Sequence, residues 1–69
     1  MSLTTAIGVY SIRSIQDELL ASRLLPMGIR PGQTMHILKK LPFRGAYLVE
    51  IDGLKIALRR QELDKIELI

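Results

Sequence analysis

Apolar and polar residues alternate in two adjacent stretches in the second half of the chain. Ala46–Ile51 and Leu54–Arg59 are rich in strand-forming residues, and Asp52-Gly53 between them is a strong signal for a two-residue β-hairpin turn. Such a turn fixes the register of the two strands. The expected pairs are Ile51 with Leu54, Val49 with Ile56 and Tyr47 with Leu58 on an inner face, and Glu50 with Lys55 on the outer face. The pattern therefore predicts a hairpin with one side turned towards a core.

A strand and a helix are predicted in the first half of the chain. Residues 9–15 alternate in polarity and contain several strand formers. Ser14 followed by Asp17 resembles a capping box with Asp in place of Glu or Gln, which predicts a helix starting one or two residues after the serine. Pro26 lacks an amide donor and ends that helix. The apolar face of this short amphipathic helix is expected to contain Leu19, Leu20 and Leu24.

The chain between the helix and the hairpin contains turn formers followed by one more strand. Gly28 and Pro31-Gly32 predict a turn. Residues 34–41 then predict a strand in which Leu38 breaks the alternation and indicates a bulge or burial on both faces. After the hairpin, the pattern predicts a helical turn at residues 61–64 and a closing strand at residues 65–69.

These elements predict a mainly β fold, in which about five short strands form a small barrel with one short amphipathic helix and a helical turn. A chain of 69 residues has room for one domain, here residues 1–69. The absence of cysteine excludes disulfides and thiolate metal sites, and it is compatible with the cytoplasm. Apolar runs are far shorter than the roughly 20 residues that cross a bilayer, so no membrane insertion is expected.

The balance of charge is basic, with ten Lys and Arg against seven Asp and Glu and a net charge of +3. The basic residues are spread along the chain, and no series of aromatic residues accompanies them. Proteins that bind single-stranded nucleic acid usually stack bases on exposed aromatic rings, whereas Tyr47 should point inward. Nucleic acid is therefore not the expected partner, although a nucleic-acid-binding module stays as an alternative.

Candidate catalytic chemistry is sparse. His36 is the single histidine, so a pair of histidines cannot form a metal or catalytic site within one copy. The glycines fall at turns, with neither P-loop nor dinucleotide-binding spacing. The sequence predicts a non-enzymatic protein with no cofactor and no dedicated metal site. Binding of a transition metal ion by His36, acidic side chains and backbone oxygens shared between copies stays as a further alternative.

The order of several short motifs resembles one known family. Residues 23–32 read Arg-Leu-Leu-Pro-Met-Gly-Ile-Arg-Pro-Gly, a strand ending in Lys39-Lys40 follows, then come Pro42-Phe43, the hairpin, residues 56–62 and Ile66. Over residues 11–69 this order is similar to the FeoA proteins of bacterial ferrous-iron uptake. The resemblance implies an SH3-like barrel in the cytoplasm that assists the ferrous-iron permease FeoB, a membrane protein with a cytosolic GTPase portion.

A partner-binding surface is expected on two parts of the chain. Residues 16–25 contain four leucines, more than a narrow buried stripe requires, so some should be exposed to a partner or to a second copy in a homo-oligomer. Basic residues near the ends of two strands should form a rim that attracts an acidic partner. The candidate partner-binding residues are Leu20, Leu24, Leu25, Met27, Lys39, Lys40, Arg44, Arg59 and Arg60.

Overall fold

The computed structural model describes residues 6–42 and 45–69, which form one antiparallel sheet with two short α-helices and a 3₁₀ helix. The elements in chain order are β1 (Gly8–Ile15), α1 (Glu18–Leu24), the 3₁₀ helix (Leu25–Met27), β2 (Thr34–Lys40), β3 (Ala46–Ile51), β4 (Leu54–Arg59), α2 (Arg60–Leu63) and β5 (Ile66–Leu68). The strand order is β4-β3-β2-β1-β5. No helix in the described part of the chain is long and apolar enough to cross a membrane.

Strand β1 is shared between two partners, and this sharing curls the sheet into a half-barrel. Its first half, Gly8 to Ser11, pairs with β2, whereas its second half pairs with β5. Within the pairing with β5, the register shifts between Ile12 and Ser14. A shift of this kind bends a strand and increases its twist. The prediction of a mainly β fold of five short strands is therefore confirmed.

The β3–β4 hairpin has the predicted bounds and register. Asp52 and Gly53 both adopt positive φ angles, 51° and 82°, as a two-residue turn of this kind requires. Leu58 is 1% exposed, but Leu54 is 39% exposed. The prediction that Leu54 lies in the core is therefore wrong, and Ile56 is only half-buried. Both side chains lie on β4 at the edge of the sheet, where one flank of the strand has no neighbouring strand.

Strand β2 contains the irregularity that Leu38 predicted. Its pairing with β3 shifts between Ile37 and Lys39, so the unpaired residue is Leu38 itself. The bulge changes the side-chain alternation, and Lys39 and Lys40 are both exposed at the end of the strand. The strand ends at Lys40, one residue earlier than predicted.

Helix α1 begins later than the sequence predicted. Asp17 is the N-cap, and its carboxylate accepts a hydrogen bond from the Leu20 N–H at 2.9 Å. Ser14 cannot serve as the cap because it belongs to β1, where it pairs with Glu67 and donates its hydroxyl to that side chain at 2.9 Å. The pairing of β1 with β5 therefore moves the N-cap three residues along the chain, from Ser14 to Asp17.

The N-terminus of helix α2 is capped by the side chain of Glu62. The Arg59 N–H donates to Glu62 Oε1 at 2.9 Å, which fixes the first turn directly after β4. The helix lies at Arg60–Leu63 rather than at residues 61–64, and the closing strand β5 is shorter than predicted. Within β5, Ile66 is buried and Leu68 packs against the core.

The core fills the concave side of the half-barrel and is entirely apolar apart from the Tyr47 hydroxyl. Tyr47 is 4% exposed, so its predicted inward orientation is confirmed. The buried cluster contains Ile12, Leu20, Leu24, Ile29, Met35, Ile37, Tyr47, Val49, Ile51, Leu58, Leu63 and Ile66. Most of these residues lie on strands, and only Leu20 and Leu24 come from α1.

A side-chain clamp holds the loop between the 3₁₀ helix and β2. Gln33 accepts a hydrogen bond from the Arg30 N–H at 2.8 Å and donates to the Gly28 carbonyl at 2.6 Å. The same amide donates to Asp52 Oδ2 at 2.8 Å. Gly28 has φ 82°, a left-handed conformation that glycine adopts without strain. The clamp joins this loop to the tip of the hairpin.

Candidate protein-docking surface

The leucines of α1 divide into buried and exposed residues. Leu20 and Leu24, spaced one helical turn apart, are 6% and 1% exposed and attach the helix to the core. These two candidate partner-binding residues therefore contact the protein's own interior. Their burial is a correction to the expectation that they face a partner directly.

Three apolar side chains of the helical segment point into solvent. Leu19 is 83% exposed, Leu25 is 61% exposed and Met27 is 42% exposed. We refer to these three residues as the helix surface. The prediction that Leu19 belongs to the buried face is wrong because its neighbour Leu20 takes the inward position, and adjacent residues on a helix point about a quarter of a turn apart. Leu25 and Met27 have the exposure that a partner-binding role requires.

A shallow cleft of about 200 Å³ lies between α1 and α2. Leu19 and Leu20 provide its apolar lining. Two ion pairs lie at the cleft: Arg23 with Glu62, at 2.7 Å between Nη1 and Oε2, and Lys65 with Asp17, at 3.1 Å between Nζ and Oδ2. The cleft thus offers an apolar depression bordered by paired charges, a shape that suits an apolar side chain projecting from another protein.

The two carboxylates at the cleft are held in their charged form. The Leu20 N–H, and after it the Lys65 ammonium, lower the pKa of Asp17 below its usual 3.8. Partial burial raises the pKa of Glu62, but the hydrogen bond from the Arg59 N–H together with the Arg23 guanidinium outweighs burial, so its pKa lies below the usual 4.5. Both groups favour the folded state when they are ionised.

Stability should consequently fall in acid. A carboxylate with a lowered pKa in the folded state stabilises the protein above its unfolded pKa, and this stabilisation is lost as the pH falls through the folded value. We expect the free energy of unfolding to decrease below about pH 4.5, the usual pKa of Glu62. Glu62→Gln should be less stable by about 0.5 kcal/mol at neutral pH, as is typical of a partly exposed ion pair. It should also lose less stability on acidification.

Urea unfolding at a series of pH values measures this difference. Asp64→Asn is the matched control, because Asp64 is exposed at the end of α2 and forms no ion pair within the described residues. The control should keep the acid dependence of the wild type. Parallel curves for Glu62→Gln and the wild type would contradict the assignment of this dependence to Glu62.

Four of the candidate basic residues lie at one end of the sheet. Lys39 and Lys40 end β2, whereas Arg59 ends β4 and Arg60 begins α2. The first residues of β3 lie between these two groups: Lys40 pairs with Tyr47, and Ala46 pairs with Arg59. Strands two positions apart in a sheet are separated by about 10 Å. We call Lys39, Lys40, Arg59 and Arg60 the basic end.

The charges of the basic end are exposed and lie outside the ion pairs of the described chain. Within residues 6–42 and 45–69, none of its four side chains forms an ion pair, and all four residues are exposed. Arg44, the remaining candidate basic residue, lies outside the described residues. An exposed group of like charges attracts oppositely charged partners and accelerates their association. The proposed role of the basic end in docking stays a prediction.

His36 lies on the outer face of the sheet, between Val9 of β1 and Glu50 of β3. It is half-buried rather than fully exposed. Across the described parts of the chain, no three side chains of His, Cys, Asp or Glu lie close enough together to hold a metal ion.

Sequence reasoning missed the contacts that shape the cleft. Arg23 and Glu62 are distant in the chain, as are Asp17 and Lys65, so no local pattern brings them together. The exposure of Leu19 was also missed, although the one-turn spacing of Leu20 and Leu24 already favours those two residues as the buried pair.

Comparison with known proteins gives a family match and several structural matches. The FeoA domain model matches residues 3–69. Iron(II) transport protein A from Clostridium thermocellum is 27% identical with a TM-score of 0.81, and the match covers 99% of this chain and 44% of that one. A comparison with curated protein sequences finds no significant match.

Two further structures establish the fold type. The manganese regulator SloR is 24% identical with a TM-score of 0.83, and the match covers 97% of this chain and 32% of that one. FeoA from Stenotrophomonas maltophilia, crystallised in complex with zinc and described as an SH3 domain protein, is 24% identical with a TM-score of 0.73 over 93% of this chain and 82% of that one. The half-barrel is thus SH3-like. The chain spans about a third of SloR and less than half of the Clostridium protein.

Proposed function

The chain belongs to the FeoA domain family, and from this premise we propose that it is a non-enzymatic accessory protein of ferrous-iron uptake that binds the cytosolic portion of the permease FeoB. Membership of the family implies a role in ferrous iron transport. In this proposal the protein acts in the cytoplasm and the transport chemistry belongs to the permease. The observation that supports docking most directly is the exposure of the helix surface, Leu19, Leu25 and Met27.

The exposed leucines of the helix surface could gain stability by being buried against a partner. Burying a leucine side chain contributes about 1.5–3 kcal/mol, and this contribution is not realised at Leu19 and Leu25 in the isolated protein. A single exposed apolar residue is ordinary, but Leu19 and Leu25 are both exposed on one helical segment. They point about 120° apart, on either side of the buried Leu20 and Leu24, so a partner that covers both must contact two sides of the segment. Because Leu20 and Leu24 anchor α1 to the core, a partner can cover the helix surface without rearranging the fold.

The surroundings of the helix surface indicate the chemistry of the partner. Leu19 lines the cleft between α1 and α2, and Glu62 of α2 lines the same cleft. Arg60, a member of the basic end, belongs to the first turn of that same helix. A complementary surface would therefore place an apolar side chain in the cleft and acidic side chains towards Arg60.

Removal of the exposed leucines should weaken docking without unfolding the protein. The double variant Leu19→Gln with Leu25→Gln retains helix-compatible side chains, and we expect its affinity for the permease's cytosolic portion to fall at least about tenfold, which corresponds to about 1.4 kcal/mol. Isothermal titration calorimetry measures the change. The matched control is Ile69→Gln, because Ile69 is 69% exposed but belongs to neither helix. Equal affinities for the double variant and the control would contradict docking through the helix surface.

The same titration separates docking from the alternative functions. Binding to nucleic acid would depend on the basic end, would weaken steeply with salt and would be unaffected by the leucine substitutions. Binding of a transition metal ion alone would also be unaffected by the two leucine substitutions. Self-association through the helix surface would appear as a concentration-dependent mass in sedimentation experiments, and the double variant would abolish it.

A further inference from the structure

One edge of the sheet has backbone groups that are free to form hydrogen bonds. Strand β4 is the first strand in the order β4-β3-β2-β1-β5, so only one of its flanks carries a neighbouring strand. In an antiparallel pair, alternate residues direct their N–H and C=O groups towards the partner strand and the others direct them away. The two-residue turn makes Ile51–Leu54 a hydrogen-bonded pair, so even-numbered residues of β4 bond to β3.

Two hydrogen bonds at the end of β4 agree with this alternation. The Arg60 N–H donates to the Gly45 carbonyl at 3.1 Å, which continues the even-numbered series. The Arg59 N–H points the other way and donates to Glu62 Oε1 at 2.9 Å. Lys55 and Ala57 therefore direct their backbone groups to the open flank, where no described residue pairs with them.

Two inward-facing side chains of β4 are only partly covered, as expected for a strand at the edge of a sheet. Leu54 and Ile56 face the core side but are 39% exposed and half-buried, respectively. Leu58, further along the same face, is 1% exposed. An additional strand beside β4 would cover the first two residues and extend the apolar layer of the half-barrel.

Charge on the other face indicates what kind of strand fits. Lys55 and Arg59 lie on the outer face, separated by Ala57, and both are exposed. Lys55 lies opposite Glu50 of β3. Arg59 lies opposite Ala46, so the charge of Arg59 has no acidic residue directly across from it in β3. A second copy of β4 paired with the first about Ala57 would place Lys55 opposite Arg59 twice, and like charges directly opposite one another are destabilising. An acidic strand meets no such repulsion.

We propose that the free edge of β4 accepts an extended segment of a partner protein in which apolar and acidic residues alternate. The apolar side chains cover Leu54 and Ile56, the acidic side chains pair with Lys55 and Arg59, and the backbone bonds to Lys55 and Ala57. Strand addition of this kind takes its affinity from backbone hydrogen bonds and its specificity from alternate side chains. This edge shares no residue with the helix surface and shares Arg59 with the basic end.

The probe is a short blocked peptide in which valine and glutamate alternate, added to the complete ¹⁵N-labelled protein. We expect weak binding, with a Kd of about 0.1 mM, typical of a small interface. NMR should show the amide signals of Lys55 and Ala57 shifting most, with their hydrogen exchange slowed at least about tenfold, because both gain a hydrogen bond. A peptide alternating valine and lysine, and one with N-methyl groups on its pairing edge, should not bind.

Substitution of Ala57 tests the same edge from the protein side. Ala57→Pro removes the outward N–H while leaving the ladder to β3 intact, and proline is tolerated at such edge positions. This variant should lose peptide binding, whereas Ala57→Val, which keeps the N–H, should retain it. If Ala57→Pro fails to fold, the N-methylated peptide on the wild-type protein provides the same comparison.

Several results would overturn the proposal. Absence of peptide binding would mean that Lys55 and Arg59 serve only to keep the edge free of aggregation, a common role for charges on edge strands. Equal binding of the valine–lysine peptide would remove the charge argument. Protection of Lys55 and Ala57 that rises with protein concentration alone would assign the edge to a second copy of this chain.

Discussion

Leu24→Ala is expected to lower the free energy of unfolding by about 2–5 kcal/mol, whereas Leu25→Ala should change it by about 0.5 kcal/mol or less. The two leucines are adjacent, but Leu24 is 1% exposed and Leu25 is 61% exposed. Truncation of Leu24 leaves a cavity beneath α1, where Leu24 and Leu20 are the only buried residues of that helix. Truncation of Leu25 removes atoms that water already surrounds.

Urea unfolding followed by circular dichroism measures both variants. A domain of this size has a total stability of about 3–10 kcal/mol, so the Leu24 variant could lose most of it and unfold near room temperature. Leu25→Ala serves as the matched control for side-chain type and position. Similar losses for both variants would contradict the orientation of α1, and with it the assignment of Leu25 to the helix surface.

A second pair of variants compares two leucines at opposite ends of β4. Leu58→Ala should lower the free energy of unfolding by about 2–5 kcal/mol, because Leu58 is fully enclosed by the core. Leu54→Ala should lower it by about 1 kcal/mol, because Leu54 is 39% exposed and leaves no closed cavity. The two residues have the same type, lie in the same strand and face the same side.

The difference in unfolding free energy between Leu58→Ala and Leu54→Ala measures how much less Leu54 is enclosed at the edge of the sheet. Thermal unfolding by calorimetry can detect it, since 1 kcal/mol shifts the midpoint by about 4–8 °C in a domain of this size. Equal losses would mean that Leu54 is enclosed in solution. That result would remove the apolar part of the argument for strand addition at β4.

The hairpin was predictable from sequence in both bounds and register. Asp52 and Gly53 accept positive φ angles at low cost, and a two-residue turn leaves one register for the strands that it joins. Prediction succeeded there because every determinant is local. The bulge at Leu38 was predictable for the same reason, since a break in alternation is visible within a few residues.

Errors arose where residues distant in the chain decide the outcome. Ser14 and Asp17 are both good caps, and only the pairing of β1 with β5 excludes the serine. The inner-face pattern of β4 was correct, yet Leu54 is exposed because burial also requires a neighbour on the far flank. Periodicity specifies the face of an element but not how much of that face is covered.

The candidate docking surface was predictable only in part. The count of leucines in residues 16–25 indicated that some must be exposed, but it did not say which. Leu25 and Met27 are exposed as a partner-binding role requires, whereas Leu20 and Leu24 are buried and Leu19 was not among the candidates. The ion pairs at the cleft join separate elements, so their positions follow from the folded chain alone.

The division of β1 between two partners also has a consequence for folding, because one of those partners is close in the chain and the other is distant. The β3–β4 hairpin joins neighbouring segments, so it can form early and quickly, whereas the contact between Ser14 and Glu67 spans 53 residues. Closing a long loop carries an entropic cost that local contacts do not have, and folding slows as contacts become less local. Because β5 follows β1 to β4 along the described chain, the pairing of β1 is complete only once β5 has joined the sheet.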